Sequence, residues 1–282
     1  MGVIKFVWRS LIITFLIILL TVFLVGIVGE IDKIRRTIWG VDKEVYFYNY
    51  NLSNKLRNEV KAVINSYAQY HIRYPLPAAI NQETGAVVPE IKGKIIDITA
   101  TVDKIFNARK GTEVEEVSYP IKPCLKKEDL LRLTRKIASY QTPMLGEEKR
   151  KKNIRLAAHL INNTLVTTGE VFSFNEEVGP RTKKRGFKES PQIVNGELIL
   201  GVGGGICQVS STLYNVVAQR KLKILEHHHH SQEVGYVPAG QDAAVAWDYL
   251  DFKFKNNLSH PIIIKAGVKS GQLQVSLLGT KD

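Results

Sequence analysis

The sequence predicts an α+β protein: an N-terminal transmembrane helix, a small α+β module, then a mainly β domain with one cysteine-bearing helix. Three observations carry this. Ser10 to Gly29 is apolar and uncharged. Short helical and strand patterns alternate as far as Pro123. From Glu170 onward the pattern is mostly β, broken by a helix-spaced stretch from Ile206 to Arg220.

The chain has 282 residues, 44% hydrophobic and 23% charged, which is globular rather than disordered composition. Ser10 to Gly29 spans roughly 30 Å as a helix, the hydrocarbon thickness of a bilayer. It reads as a signal anchor over 10–29 behind a cytoplasmic tail, 1–9, that holds Lys5 and Arg9. A cleaved signal peptide is disfavoured, because the run is long and Val25-Gly26-Ile27-Val28-Gly29 is no clear small-x-small site. A buried core helix is the other alternative. Lys33, Arg35 and Arg36 follow the span closely, so the positive-inside rule does not decide orientation. The short tail and large following domain favour a single-pass membrane protein with its C-terminal domain extracytoplasmic. Of 39 basic and 27 acidic residues only Lys5 and Arg9 precede the span, which leaves a net +10 beyond it. That charge suits an anionic wall or lipid surface. No nucleic-acid motif accompanies it, so nucleic acid is not an expected partner.

Glu30 to Glu44 reads as a helical stalk. Leu56, Val60, Val63, Ile64, Tyr67 and Ala68 have helical spacing, with Ser53 or Asn54 as N-cap and Tyr74-Pro75-Leu76-Pro77 as the stop. Ala86 to Pro89 and Lys94 to Ile98 are strand candidates, Thr99 to Arg109 a short helix, and Glu113 to Ile121 another strand. Residues 45–123 thus form the small module. Residues 124–146, including the amphipathic and basic Lys126 to Tyr140, read as a linker. The last domain is 147–282. It opens with a helix from about Glu147 to Leu165. Val171 to Phe174 and Pro191 to Leu200 are strand candidates, with turns at Gly179-Pro180 and Asn195-Gly196. Leu222 to Glu226, Val234 to Val237, Ala243 to Trp247, Asp251 to Lys255, Pro261 to Ala266 and Leu273 to Leu278 complete the expected strands.

The chemistry concentrates at Gly203-Gly204-Gly205-Ile206-Cys207. Cys207 falls in the first turn of the expected helix, where free amides and the helix dipole favour a thiolate. Gly203, Gly204 and Gly205 can take positive φ and converge their amides into an oxyanion nest. The bland alternative is a glycine turn before a helix with an inert cysteine. His227-His228-His229-His230 follows an apolar strand; if extended, it puts His228 and His230 on one face. Imidazole is the usual base for a catalytic thiol. Zinc on two histidines and a cysteine is the weaker reading, since no CxxC or HExxH spacing supports it. No metal or cofactor is expected. Asp242 is the first choice for an orienting carboxylate, with Asp248 and Asp251 nearby. Arg181 is the candidate for a substrate carboxylate, and Gln208, Ser210 and Tyr214 are further substrate-binding candidates. Cys124, in Pro123-Cys124-Leu125, reads as a buried or incidental thiol, although the two cysteines could also pair.

Phe172-Ser173-Phe174-Asn175, Gly179-Pro180-Arg181-Thr182, Gly203 to Tyr214, His228 to Ser231, Tyr236-Val237-Pro238 and Asp251 to Asn257 together resemble the VanW family, named after an accessory vancomycin-resistance protein. The resemblance covers roughly residues 150–270. Segment 45–123 more weakly resembles the peptidoglycan-binding-like module that often precedes VanW domains. The resemblance implies a Gram-positive envelope, peptidoglycan stem peptides as partner and a link to antibiotic resistance. Some members are L,D-transpeptidases with a cysteine nucleophile, and Cys207 matches that cysteine. His228 and His230 match the family's paired histidines. His227 and Gln241 stand where arginine is common. A non-catalytic, peptidoglycan-binding accessory protein remains the alternative expectation.

Overall fold

A computed structural model describes residues 2–194 and 197–280. A helix runs over Gly2–Trp39, and its Ile12–Trp39 part is long and apolar enough to cross a membrane. The stalk stretch therefore continues the same helix to Trp39. The chain divides into two compact units: Met1–Leu76 with Lys92–Lys122, and Pro77–Ile91 with Pro123–Asp282.

In the first unit the helix Arg57–His71 packs with the helix Ile98–Phe106. Val60, Ile64, Val102 and Ile105 share a core with Val45, Phe47 and Leu52. The first of these helices is capped at Leu56, where its apolar spacing begins, and not at Ser53 or Asn54. Ser53 is occupied by Asn51 and by the Glu44 amide, and Asn54 is left-handed at φ 59°. The start is closed instead by Glu59, which accepts the Leu56 amide at 2.8 Å.

The second unit is built on an antiparallel sheet of four strands, ordered Arg135–Pro143, Gln272–Gly279, Ile262–Lys269, Thr164–Val166. The stretch expected as a linker thus supplies an edge strand of this sheet. Only Ala138 and Thr142 of its nine residues are buried, and the exposed Arg135, Lys136, Ser139 and Gln141 mask the period of two. The Glu148–Ile161 and Ile206–Gln219 helices pack on the sheet and on each other. Ile154, Ala157, Ile161, Val209, Leu213 and Val216 meet Ile262, Ile264, Val275 and Leu277 there. Truncating one such buried aliphatic side chain costs about 2–5 kcal/mol. This core fixes where the second helix begins, and hence where Cys207 stands. A smaller sheet, Val171–Ser173, Lys253–Lys255 and Lys223–Glu226, stacks Phe172 on Phe254 at 5.0 Å.

Two strand expectations fail. Val234 to Val237 and Ala243 to Trp247 are irregular. Their neighbours for hydrogen bonding are not strands: the Ala243 amide bonds Ser211 Oγ, and the Ala244 amide bonds the His228 carbonyl. The strands Glu189–Val194 and Glu197–Val202 pair as a hairpin, and its Asn195-Gly196 turn lies outside the described residues.

Candidate active site

Cys207 opens onto a cleft of about 750 Å³ in the second unit. Its walls include the three glycines, Arg150, Arg181, Gln208, His230, Tyr236 and Trp247. Leu145, Val202, Ile206, Val234 and Val245 supply apolar surface. The volume is in the range of small-molecule and peptide-end sites.

Each glycine of the turn has its own reason. Gly203 and Gly205 have φ 98° and 103°, which L side chains rarely adopt. A Cβ on Gly204 would strike the carbonyls of Ser190 and Pro191. Asn153, fully buried, fastens the turn from the neighbouring helix. Its Nδ2 donates to Gly204 O at 3.0 Å and Lys188 O at 2.9 Å, and its Oδ1 accepts the Lys188 amide at 2.8 Å. The Gly203 amide bonds Lys188 O and the Ile206 amide bonds Gly203 O. Among the described residues no hydrogen bond takes the amides of Gly204, Gly205 or Cys207. The expectation that all three glycine amides serve an oxyanion is therefore corrected: Gly203 shapes the turn, and the free donors are Gly204, Gly205 and Cys207.

His230 is the imidazole whose charge bears on the thiol: both line the cleft and each shifts the other's titration, while the thiol itself donates to the Val245 carbonyl at 3.4 Å. His230 Nδ1 bonds Asp242 Oδ2 at 2.6 Å, which leaves Nε2 for the sulfur, and its own amide donates to the same oxygen at 2.7 Å. Cys207, His230 and Asp242 thus form a series of thiol, imidazole and carboxylate. His228 does not join them. It pairs with Glu226 at 3.1 Å, because the strand ends at Glu226 and the alternation that would align His228 with His230 stops there. His229 bonds Asp242 Oδ1 at 2.9 Å, and His227 bonds the Asp242 carbonyl at 2.8 Å.

The electrostatics shift the thiol and the imidazole toward an ion pair. Burial pushes the Cys207 thiol up, but the His230 imidazole, the Val245 backbone and the Arg181 guanidinium outweigh it, and the net direction is down. Burial pushes His230 down, but Cys207 and then Asp242 carry it above the usual imidazole value. Burial would raise Asp242 as well. The His230 amide and the His229 and His230 rings reverse this and hold it at about 2.

Arg181 also faces the cleft. Nη2 donates to Asn175 Oδ1 at 2.6 Å, and the guanidinium lies 5.6 Å from the Trp247 ring centre. Nη1 is buried without a hydrogen-bond partner. Burial lowers its pKa to about 10, so it stays charged at neutral pH. Asn175 is held in turn by Asp251, which accepts its amide at 2.9 Å. Gln208 is committed to structure: its Oε1 accepts from Arg150 at 3.0 Å and its Nε2 donates to Thr142 and Pro143. Ser210 Oγ donates to the carbonyls of Ala243 at 2.6 Å and Cys207 at 3.1 Å. Tyr214 stacks on His227 at 4.1 Å, outside the cleft lining. Ser210 and Tyr214 thus hold the helix and the histidine segment in place and present no group to the cleft. Both cysteines are free thiols, and Cys124 is exposed rather than buried. Among the described residues no three His, Cys, Asp or Glu side chains gather as a metal-ligand set.

Sequence reasoning passed over Arg150 and Asn153, and took Tyr236 only as part of the Tyr236-Val237-Pro238 motif. Arg150 sits inside Lys149-Arg150-Lys151-Lys152, where nothing distinguishes it from solvated neighbours. Asn153, one turn into the same helix, carried a signal only as a polar residue on the apolar face beside Ile154 and Ala157.

The model of a family described as "VanW like protein" matches residues 149–278. The Bacillus subtilis protein YoaR, described as uncharacterized, is 39% identical over 210 residues, covering 73% of this chain and 69% of its own. The Enterococcus faecalis vancomycin B-type resistance protein VanW is 31% identical over 119 residues, covering 40% of this chain and 43% of its own. No solved structure matches the chain.

Proposed function

This chain belongs to the VanW family, and on that premise we propose that it is a membrane-anchored envelope protein whose Cys207 transfers acyl groups between peptidoglycan stem peptides. The observation that carries the reading is the Cys207–His230–Asp242 constellation beside free amides at a helix start. The Cys207 sulfur adds to a stem-peptide carbonyl, and its oxyanion is met by the amides of Gly204, Gly205 and Cys207. The C–N bond then breaks, and the His230 proton passes to the leaving amine. This leaves a thioester. An acceptor amine attacks it, the C–S bond breaks, and the amine's proton returns to the thiolate–imidazole pair. The net result is an L,D-transpeptidase-type cross-link; water in place of the amine gives a carboxypeptidase outcome. Arg181, with its unpaired Nη1, binds a donor carboxylate. The Ile12–Trp39 span supports a membrane location, and the basic outer chain suits an anionic wall.

The test is cross-linking of purified muropeptides by the full-length protein and by Cys207→Ala. Cross-links only with the intact thiol are expected. Undiminished cross-linking by Cys207→Ala would sink the enzymatic reading. The second reading, a non-catalytic envelope protein linked to glycopeptide resistance, is favoured by the name of the Enterococcus faecalis relative alone.

A further inference from the structure

One cleft side chain lies against the glycine turn by its charged end. Arg150 lines the same cleft as Gly205 and Cys207. A Cβ on Gly205 would stand 2.4 Å from Arg150 Nη1 and 2.8 Å from its Cγ, and one on Gly146 would stand 2.9 Å from its Cδ. Gly205 and Gly146 both have positive φ, 103° and 90°. The side chain thus runs where two glycines leave space, and its guanidinium meets the turn at a residue whose amide is free. Standard bond lengths then place Nη1 within about 5.4 Å of the Gly205 nitrogen. Two donors that each hold one oxygen at about 2.9 Å can stand up to about 5.8 Å apart. Nη1 and the Gly205 amide can therefore share a single oxygen atom.

The guanidinium is oriented before anything binds. Nη2 donates to Gln208 Oε1 at 3.0 Å, and the group lies 5.7 Å from the Tyr236 ring centre. Among the described residues no carboxylate pairs with Arg150, and Nη1 keeps both of its hydrogens. Burial lowers its pKa, with Tyr236 and Cys207 acting against that. A partly buried cation with one neutral acceptor favours negative charge that develops beside it during a reaction.

We propose that Arg150 is a catalytic residue whose Nη1 donates to the oxyanion formed when the Cys207 sulfur adds to a carbonyl. This rests on the thiol-transfer reading of the same site and adds a charged donor to its three amides. The sulfur's electron pair forms the C–S bond, and the carbonyl π pair moves onto the oxygen between Nη1 and the Gly205 amide. When the π bond re-forms, the leaving group departs with its own electron pair and the His230 proton. Arg150 transfers no proton; it stabilises the transient charge.

The test compares two reactions of one thiol in the full-length protein in detergent, on a Cys124→Ser background. Acylation by 4-nitrophenyl acetate passes through an oxyanion and is followed by nitrophenolate release, with Cys207→Ala as the blank. Alkylation by iodoacetamide displaces iodide at a saturated carbon and forms no oxyanion. Arg150→Gln is expected to slow acylation about 100-fold and alkylation by no more than about threefold. Arg150→Lys keeps the charge without the planar fork and should recover part of the acylation rate. Parallel losses of both reactions in Arg150→Gln and Arg150→Lys alike would overturn the proposal, as would undiminished acylation in Arg150→Gln. A misfolded variant cannot pass for support, since support requires near-normal alkylation. The ester needs no stem peptide, so Arg150-dependent acylation without any stem-peptide adduct leaves the proposal standing and sinks the transfer reading. An intact site that the ester fails to acylate would overturn the proposal.

Discussion

Replacing Asp242 by Asn should slow Cys207 most at low pH. The carboxylate accepts three hydrogen bonds, from the His230 amide, the His230 ring and the His229 ring, at 2.7, 2.6 and 2.9 Å. Asn keeps the shape and one acceptor but removes the charge that helps to hold the proton on His230. A charge-assisted hydrogen bond is worth about 1.5–3 kcal/mol, which is about 10- to 100-fold in the thiolate–imidazolium population. The assay is the second-order rate of iodoacetamide labelling at Cys207. It is run in a Cys124→Ser background, since the exposed Cys124 also labels. Rates are compared at about pH 6 and about pH 9.5, below and above the usual thiol pKa. The unsubstituted site should label faster at the lower pH than an ordinary thiol does, because its thiol lies below the usual value. Asp242→Asn should be slower there by about tenfold or more and recover at the higher pH, where a thiol ionises unaided. An identical pH profile for the two proteins would refute the argument that Asp242 supports the ion pair.

The order of chemistry along the chain was legible before its geometry was. Cys207 at a helix start followed from apolar spacing at Val209, Leu213 and Val216, and the helix is Ile206–Gln219. Asp242 followed from proximity in sequence. The choice among four histidines did not. It is made by the irregular backbone after Glu226, where the His230 amide is drawn onto Asp242 and period-two reasoning no longer applies. Ser210 and Tyr214 looked like cleft residues because they are polar and close to Cys207, whereas Gln208 does line the cleft but with its amide already bonded. A helix turns 100° per residue, so neighbours in sequence point to different surroundings. Arg150 and Asn153 were hidden for the opposite reason: they lie more than fifty residues away and reach the turn only because two helices pack together. The strand Arg135–Pro143 was missed because only Ala138 and Thr142 are buried and its exposed side chains are basic or polar.

His228→Ala should leave Cys207 labelling within about twofold while His230→Ala lowers it by about tenfold or more at neutral pH, by the same charge-assisted estimate; equal effects of both would contradict the assignment of the base. Asn153→Ala strips three hydrogen bonds from a buried turn and should cost about 3 kcal/mol in urea unfolding, with slower labelling of Cys207; a loss below about 0.5 kcal/mol would mean the turn holds itself. Gly205→Ala forces a side chain to φ 103° and against Arg150, and should lower stability by about 1–3 kcal/mol. Asp242 also predicts acid sensitivity. Its folded pKa of about 2 lies below its ordinary value of 3.8, so its stabilisation is full above 3.8 and is lost as pH falls toward 2. The loss is about 2 kcal/mol and should be smaller in Asp242→Asn when urea midpoints are compared across that range.

The most direct measurement is intact mass and peptide mapping of the full-length protein after brief incubation with a stem tetrapeptide. The account predicts a hydroxylamine-labile adduct on Cys207, equal in mass to the tetrapeptide less its terminal amino acid and absent from Cys207→Ala. Cross-linked product without any such adduct, or the same adduct on Cys207→Ala, would contradict it.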